Sequence, residues 1–295
     1  TNGSIIASLV VFNIVFAVQN GLDIAYLWSG AGLPQGVSFS EYAHKGAQPL
    51  IATALLAGLF VLVFLRPGAA TGQDRRVRAL VMLWVAQNIF LVASTALRTL
   101  DYVEAYSLTE ARIVALLWMG LVAVGLALIG WRLLAAKSSS CLVNANVAAL
   151  AGVLVVCSLV DLGAVSAAWN VRHAREVGGR GVPIDLCYLD DQGMSALVPL
   201  AELELDPRTP PDLKVRAGNL RRVIATDAAV DKGWLRWTFR DQRRWDRAHA
   251  LIGPSGWAYA ERRNYLCDGR HMPETRPAAV PAPTLPLTPS ANPGT

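Results

Sequence analysis

A chain of 295 residues could hold two soluble domains, yet 53% of it is hydrophobic, only 17% is charged, and its mean hydropathy is +0.36. A soluble fold of this size is not that apolar, so an ordinary two-domain soluble enzyme is excluded. The net charge of +5 is unevenly placed: up to about Trp169 the chain is long uncharged runs, and the remainder carries most of the Arg, Asp and Glu. The sequence therefore divides into a bilayer part and an aqueous part.

A hydrocarbon core about 30 Å thick needs roughly 20 helical residues, because helices and closed barrels alone satisfy the backbone without water. Five runs meet this requirement, at residues 4–28, 48–65, 80–97, 113–134 and 142–169. Trp28, Trp131 and Trp169 stand near their ends, where aromatic rings sit at headgroup level. The expected fold is all-α, a polytopic transmembrane bundle over residues 1–170. No cationic segment or small-residue cleavage site precedes the first run, so no signal peptide is expected.

Sidedness follows from Lys and Arg near the helix ends. The loop before the third run holds Arg66, Arg75, Arg76 and Arg78, and the loop after the fourth holds Arg132 and Lys137. These loops are expected in the cytoplasm. The alternate loops carry Glu41, Asp101, Glu104 and Glu110 with few cations, and should face outward. By alternation the fifth run exits outward, although Arg172, Arg175 and Arg180 just beyond it argue for the other direction.

Polar residues inside a membrane mark helix contacts or functional sites, since an Asp at a helix centre costs about 2.5 to 3.5 kcal/mol. In the first run Asn13, Asn20 and Asp23 are spaced seven and three apart, which places them with Gln19 on one helical face. The third run has Gln87, Ser94, Arg98 and Asp101 at steps of seven, four and three, and the fifth has Asn144, Ser158 and Asp161. Each stripe should point into the bundle. Their ionisable ends, Asp23, Arg98, Asp101, Glu104 and Asp161, then gather at the outer boundary beside the loop bearing Glu41 and His44. Two readings of this cluster stay open: ion pairs between helices, or a substrate or ion site. Ligand spacing of the H-E-x-x-H or paired CxxC kind is absent, so any metal is left unassigned and no cofactor is expected. In the fourth run Gly120, Ala123, Gly125, Ala127 and Gly130 favour close helix approach and suggest a packing helix.

The stretches QNGLDIAYLWSGAGLPQGVSFSEYAHKG and LWVAQNIFLVASTALRTLDYVEAYSLTEARIVALLW carry a resemblance, with Glu41, Tyr42, His44 and Gly46 in one and Asp101, Tyr102, Glu104 and Tyr106 in the other. They resemble the DUF4173 (DUF4153-like) group of uncharacterised bacterial multi-spanning membrane proteins. The likeness covers about residues 4–169, with an echo in DLCYLDDQGMSALVPL and WLRWTFRDQRR. It implies a multi-spanning membrane fold and a bacterial plasma-membrane location, and no activity.

Residues 171–272 read as a small domain of short helices. Pro183 can open one and Gly193 close it, Ser195 can cap a second that ends before Pro207, and Asp212 can cap a third running toward Gly233. Residues 214–247 hold ten Lys or Arg against four Asp, a net of +6, interleaved with Trp234, Trp237 and Trp245. Those Trp fall on one helical face, which fits either a helix lying on an anionic membrane or a Trp stripe packed on neighbouring helices. Cys187 and Cys267 are the two cysteines of the aqueous part and would be bridged in an oxidising compartment. The tail at 273–295 is proline-rich and expected to be disordered. The reading reached is a cell-envelope anchor or interaction protein whose partners are the lipid bilayer and other envelope proteins, not nucleic acid, with a transporter or channel subunit and a membrane-embedded enzyme as alternatives.

Overall fold

The computed structural model describes residues 2–28, 74–135, 138–230 and 238–273, and is helical throughout them apart from turns and an isolated bridge between Tyr265 and His271. Helix α1 is Asn2–Asp23, continued by a π-helical turn at Ile24–Trp28. Helix α2 is Arg75–Tyr106, α3 is Glu110–Leu134 and α4 is Ser139–Leu159. All four are long and apolar enough to cross a membrane. The second expected span, at 48–65, lies outside the described residues, as do Glu41, His44 and the 274–295 tail.

The starts of these helices are set locally. Asp74, Thr109 and Ser138 each take extended backbone and accept a hydrogen bond from a first-turn N–H, so the chain leaves each loop already capped. The α2–α3 turn needs Ser107 at φ 70°, a region unfavourable to a side chain. Arg112 compensates by donating to the carbonyls of Tyr106 and Ser107 from within α3 while lying over the Tyr102 ring. At about 1.5 Å per residue, the 32 residues of α2 reach roughly 48 Å and overrun the hydrocarbon core.

Contacts between α1 and α2 advance together along both helices, so the two run parallel. Helix α3 returns antiparallel to α2, and α4 antiparallel to α3. Trp28, Tyr106 and Leu159 therefore share one end of the bundle, whereas Arg75, Arg76, Arg78 and Arg132 share the other.

The expected fifth span does not continue to Trp169. Helix α4 stops at Leu159, Val160 is extended, and Asp161 caps a new helix, α5, at Leu162–His173. The Asp161 carboxylate accepts from the Ala164 N–H at 2.9 Å, which ends one helix and starts another within two residues. Hydropathy missed this break because α5 is itself apolar. Its Ala167 and Val171 are buried in the core of the polar region.

That core gathers α5, α6 (Leu186–Asp191), α7 (Leu197–Leu205), α8 (Pro211–Val230) and α9 (Phe239–Ile252). In α8, Leu213, Ala217, Leu220 and Ile224 recur at helical spacing and are all buried. Asp185, not Pro183, caps α6, and Ser195 lies in a 3-10 turn, Gly193–Ala196, ahead of α7 instead of capping it. Arg221, 1% exposed, pairs with Glu204 at 2.8 Å and stacks over Trp257. A bond joins Cys187 and Cys267, whose Cα atoms are 4.6 Å apart. The neighbouring turn is fixed on α8 by Arg216 to Asp268 at 3.0 Å and Asn219 to the Gly269 carbonyl at 3.0 Å. Gly269, at φ 77°, approaches the Arg216 carbonyl so closely that any Cβ would collide with it.

Thr238 caps α9 in extended conformation, and Trp234 and Trp237 of the expected Trp stripe lie outside the described residues. Trp245 packs against Trp257 at 4.7 Å between ring centroids, on the core side of α9.

Candidate functional site

Two polar constellations arise. The first lies between α1 and α2. Asn13 donates to the Leu80 carbonyl at 3.1 Å, Gln87 donates to Asn13 Oδ1 at 2.9 Å, and Asn20 donates to the Gln87 carbonyl at 3.1 Å. Near the end of the stripe, Arg98 bonds the Asp23 carboxylate, which also accepts from Gln19 at 3.3 Å. Trp28 donates its indole N–H to Ser94 Oγ at 3.1 Å while stacking on Phe90. Seven-residue steps on two parallel helices bring successive amides into register, as a closed polar seam requires. Asp23 is fully buried and the Arg98 side chain 9% exposed. Among the described residues, the Asn20 Oδ1, Asp23 Oδ2 and Gln87 Oε1 acceptors within the seam have no hydrogen-bond partner.

Asp101 and Glu104 do not join this pair; both are exposed on the last turns of α2. Asn144 and Ser158 are likewise exposed, so the expected inward stripe on the fifth run does not form. The break at Val160 takes Asp161 out of phase with them, and Asn146 of α4 is set against Gly125 of α3. In α3, Gly130 faces Met82 and Val85 of α2 while Gly120 faces open space, so close approach uses part of its small-residue surface.

The second constellation surrounds Asp161 at the junction of bundle and C-terminal region. Ser195 donates to its carboxylate at 3.0 Å, Arg244 bonds it and Arg240 stands 4.0 Å away. Burial pushes this carboxyl up, but the Ala164 N–H, Arg244 and Ser195 outweigh that effect and hold it below the ordinary carboxylate range. Around it opens a groove of about 650 Å³. Sequence reasoning grouped Asp161 with Asp23; its partners, 34 and 83 residues away, carried no local signal. Of the basic stretch 214–247, the spacing of Arg240, Arg243, Arg244 and Arg247 was the available sign of one helical face.

The junction is also clasped. Asn170 of α5 accepts from the Leu108 N–H at 2.7 Å and donates to the Leu108 carbonyl at 2.8 Å, all buried. Tyr188 bridges the Glu110 N–H and Ser166. Gly163 faces Glu110 and Gln192 so tightly that a Cβ would overlap both.

A family model described as a domain of unknown function, DUF4153, matches residues 2–203. The chain belongs to the DUF4153 family. This is the group to which the DUF4173-like resemblance points. The match runs through the bundle, the junction and nearly all of α7, and stops before the arginines of α9. No curated protein and no solved structure matches the chain. Among the described residues, no three His, Cys, Asp or Glu side chains stand together as a metal-binding group. What the family and the four apolar helices establish is a membrane protein; the chemistry that the residues offer is ion pairing and hydrogen bonding.

Proposed function

We propose that this DUF4153 protein is a bacterial plasma-membrane anchor that presents its C-terminal helical domain, residues 171–272, on the extracytoplasmic side for interaction with other envelope proteins. The observation that carries this reading is the reciprocal Asn170–Leu108 clasp, which fixes the domain to the bundle turn through buried backbone groups. A rigid mount is what an anchor requires. The orientation is supported by Arg75, Arg76, Arg78 and Arg132 at the bundle end away from the domain, as positive-inside sorting favours, and by the Cys187–Cys267 bond, which suits an oxidising compartment.

Single-cysteine labelling tests it, with Cys141 and Cys157 replaced by Ser. A membrane-impermeant maleimide applied to cells with an intact plasma membrane should label Arg208→Cys, on the exposed α7–α8 turn, and spare Gln73→Cys. The opposite pattern would place the domain in the cytoplasm and end this reading. A second reading, a cation or proton site within the seam, is favoured by its three unpartnered buried acceptors. Proton or cation flux into proteoliposomes that is lost in Asn20→Leu would select it.

A further inference from the structure

The groove beside Asp161 has two unlike sides. Arg172 from α5 and Arg240, Arg243, Arg244 and Arg247 from α9 supply five positive charges, and Asp161 and Glu202 are the two carboxylates in its lining. Three positive charges are therefore in surplus. Arg244 is held by Asp161 and Asp241, and is 13% exposed. The others project: Arg172, Arg240 and Arg247 are 65%, 48% and 67% exposed, and their nearest carboxylates stand 3.6 to 4.0 Å away, at the loose end of ion pairing. Arg243 is exposed and lies over the Phe239 ring, with no carboxylate in ion-pair range among the described residues.

The other side of the groove is apolar and lies at the end of α4, a helix long and apolar enough to cross a membrane. Leu159, the last residue of α4, is 73% exposed, and Phe239 at the start of α9 is 66% exposed. Arg240 donates to the Ser158 carbonyl at 3.1 Å, which places the arginine row directly at the end of a spanning helix. Guanidinium groups above exposed Leu and Phe side chains at this depth match a phospholipid, whose phosphate sits at the interface and whose chains continue below it. Arginine also fits phosphate better than lysine does, through its planar pair of N–H donors.

We infer that this groove is a binding site for an anionic phospholipid, its phosphate held by Arg240, Arg243 and Arg247 and its acyl chains lying along Leu159 and Phe239. The site seats α9 on the membrane surface. The proposal rests on α4 spanning the bilayer and not on which leaflet the domain faces, so it can fail or succeed apart from the orientation proposed above.

The test uses the full chain in a neutral maltoside detergent, titrated with dihexanoyl phosphatidylglycerol, dihexanoyl phosphatidylcholine or inorganic phosphate, with bound lipid counted by native mass spectrometry. Phosphatidylglycerol should bind at least tenfold more tightly than phosphatidylcholine. Arg243→Gln with Arg247→Gln, both at exposed positions, should weaken it about 25-fold, at roughly fivefold per arginine near an anionic surface. Unchanged melting of that variant shows that the fold is intact, and Arg243→Lys with Arg247→Lys, which keeps the charge and loses the planar donor pair, should weaken the lipid by less than the Gln pair does. Leu159→Asn should weaken the lipid and leave any binding of inorganic phosphate unaltered. Equal binding of the two lipids, indifference to the double Gln variant, or inorganic phosphate competing at the same concentration as the lipid would each overturn the proposal, the last by making this a soluble-anion site.

Discussion

The bundle and the C-terminal region solve the same packing problem with opposite materials. In the bundle, Asn13, Asn20, Asp23, Asn88 and Ser94 are buried beside an apolar cluster that includes Leu9, Phe16, Trp84 and Leu91, while Val11, Ile14, Val18 and Leu154 point outward. In the C-terminal region Leu189, Leu197, Leu200 and Leu203 are fully buried, and charged groups other than the buried Arg221 lie mostly at the rim. Lipid is as apolar as Leu, so apolar burial gives spanning helices little reason to associate and polar contacts with close packing do more of the work. Water reverses this, and burial of Leu becomes the main driving force. Asp161 sits where one regime hands over to the other.

The largest expected effect breaks the bundle's side of the comparison. Removing one partner of a desolvated ion pair leaves the other charge uncompensated, at a cost of about 3 to 5 kcal/mol. Asp23→Asn and Arg98→Gln should each lower the melting temperature in detergent sharply, and the double variant should lose much less than their sum. Strict additivity would mean that the two charges do not depend on each other.

Next comes the C-terminal region's own staple. Cys187→Ser with Cys267→Ser opens a loop of 80 residues, and loss of such a bridge typically costs about 2 to 4 kcal/mol. The domain should then become protease-sensitive at temperatures that leave the bundle intact. Simultaneous loss of both regions would show that they unfold as one unit and erase the contrast between them.

Legibility in the sequence differs between the same two regions. Intramembrane amides are rare, so Asn13, Asn20, Asp23, Gln87, Ser94 and Arg98 at heptad-like spacing identify the seam from sequence alone. The aqueous helices at 197–205 and 211–230 were also legible, from Pro207 as a stop and Asp212 near a start, although Asp212 lies within the first turn and does not cap it. The junction was not. Leu162 to Trp169 is apolar enough to prolong a span, and a hydropathy window averages over the single capping Asp that ends it. Ser195 and Arg244, which hold that Asp, are brought to it by tertiary packing alone. Exposed Asp101 and Glu104 show the converse error, in which correct helical phase was extended past the membrane boundary, where phase no longer decides burial.

The clasp between the regions ranks third. Asn170→Ala removes both hydrogen bonds to the Leu108 backbone, each contributing about 0.5 to 1.5 kcal/mol net. Hydrogen exchange should speed up at Leu108 and along α5, with little change in α1. Protection unchanged at Leu108 would mean that Gly163 packing and Tyr188 hold the junction unaided.

The smallest effect is the most specific to the boundary residue. Asp161 has a folded-state pKa below its ordinary value of 3.8: burial raises it, and the Ala164 N–H, Arg244 and Ser195 together lower it further. Arg240 also faces it from α9. A depressed carboxyl binds fewer protons folded than unfolded, so its contribution is complete above the unfolded value and disappears as the pH falls through the folded one. Asp161→Asn keeps an oxygen able to cap α5, and it replaces the charge and the second acceptor oxygen, which Ser195 and Arg244 use, with an amide donor that does not titrate. The wild-type chain should therefore melt higher than this variant by a constant margin above about pH 5, with the margin closing below pH 4. A margin that instead widened on acidification would mean that burial dominates and the carboxyl is raised. In that case Asp161 would lose its charge at a higher pH in the folded chain than in the unfolded one, and the groove would gain positive charge at the membrane surface earlier on acidification.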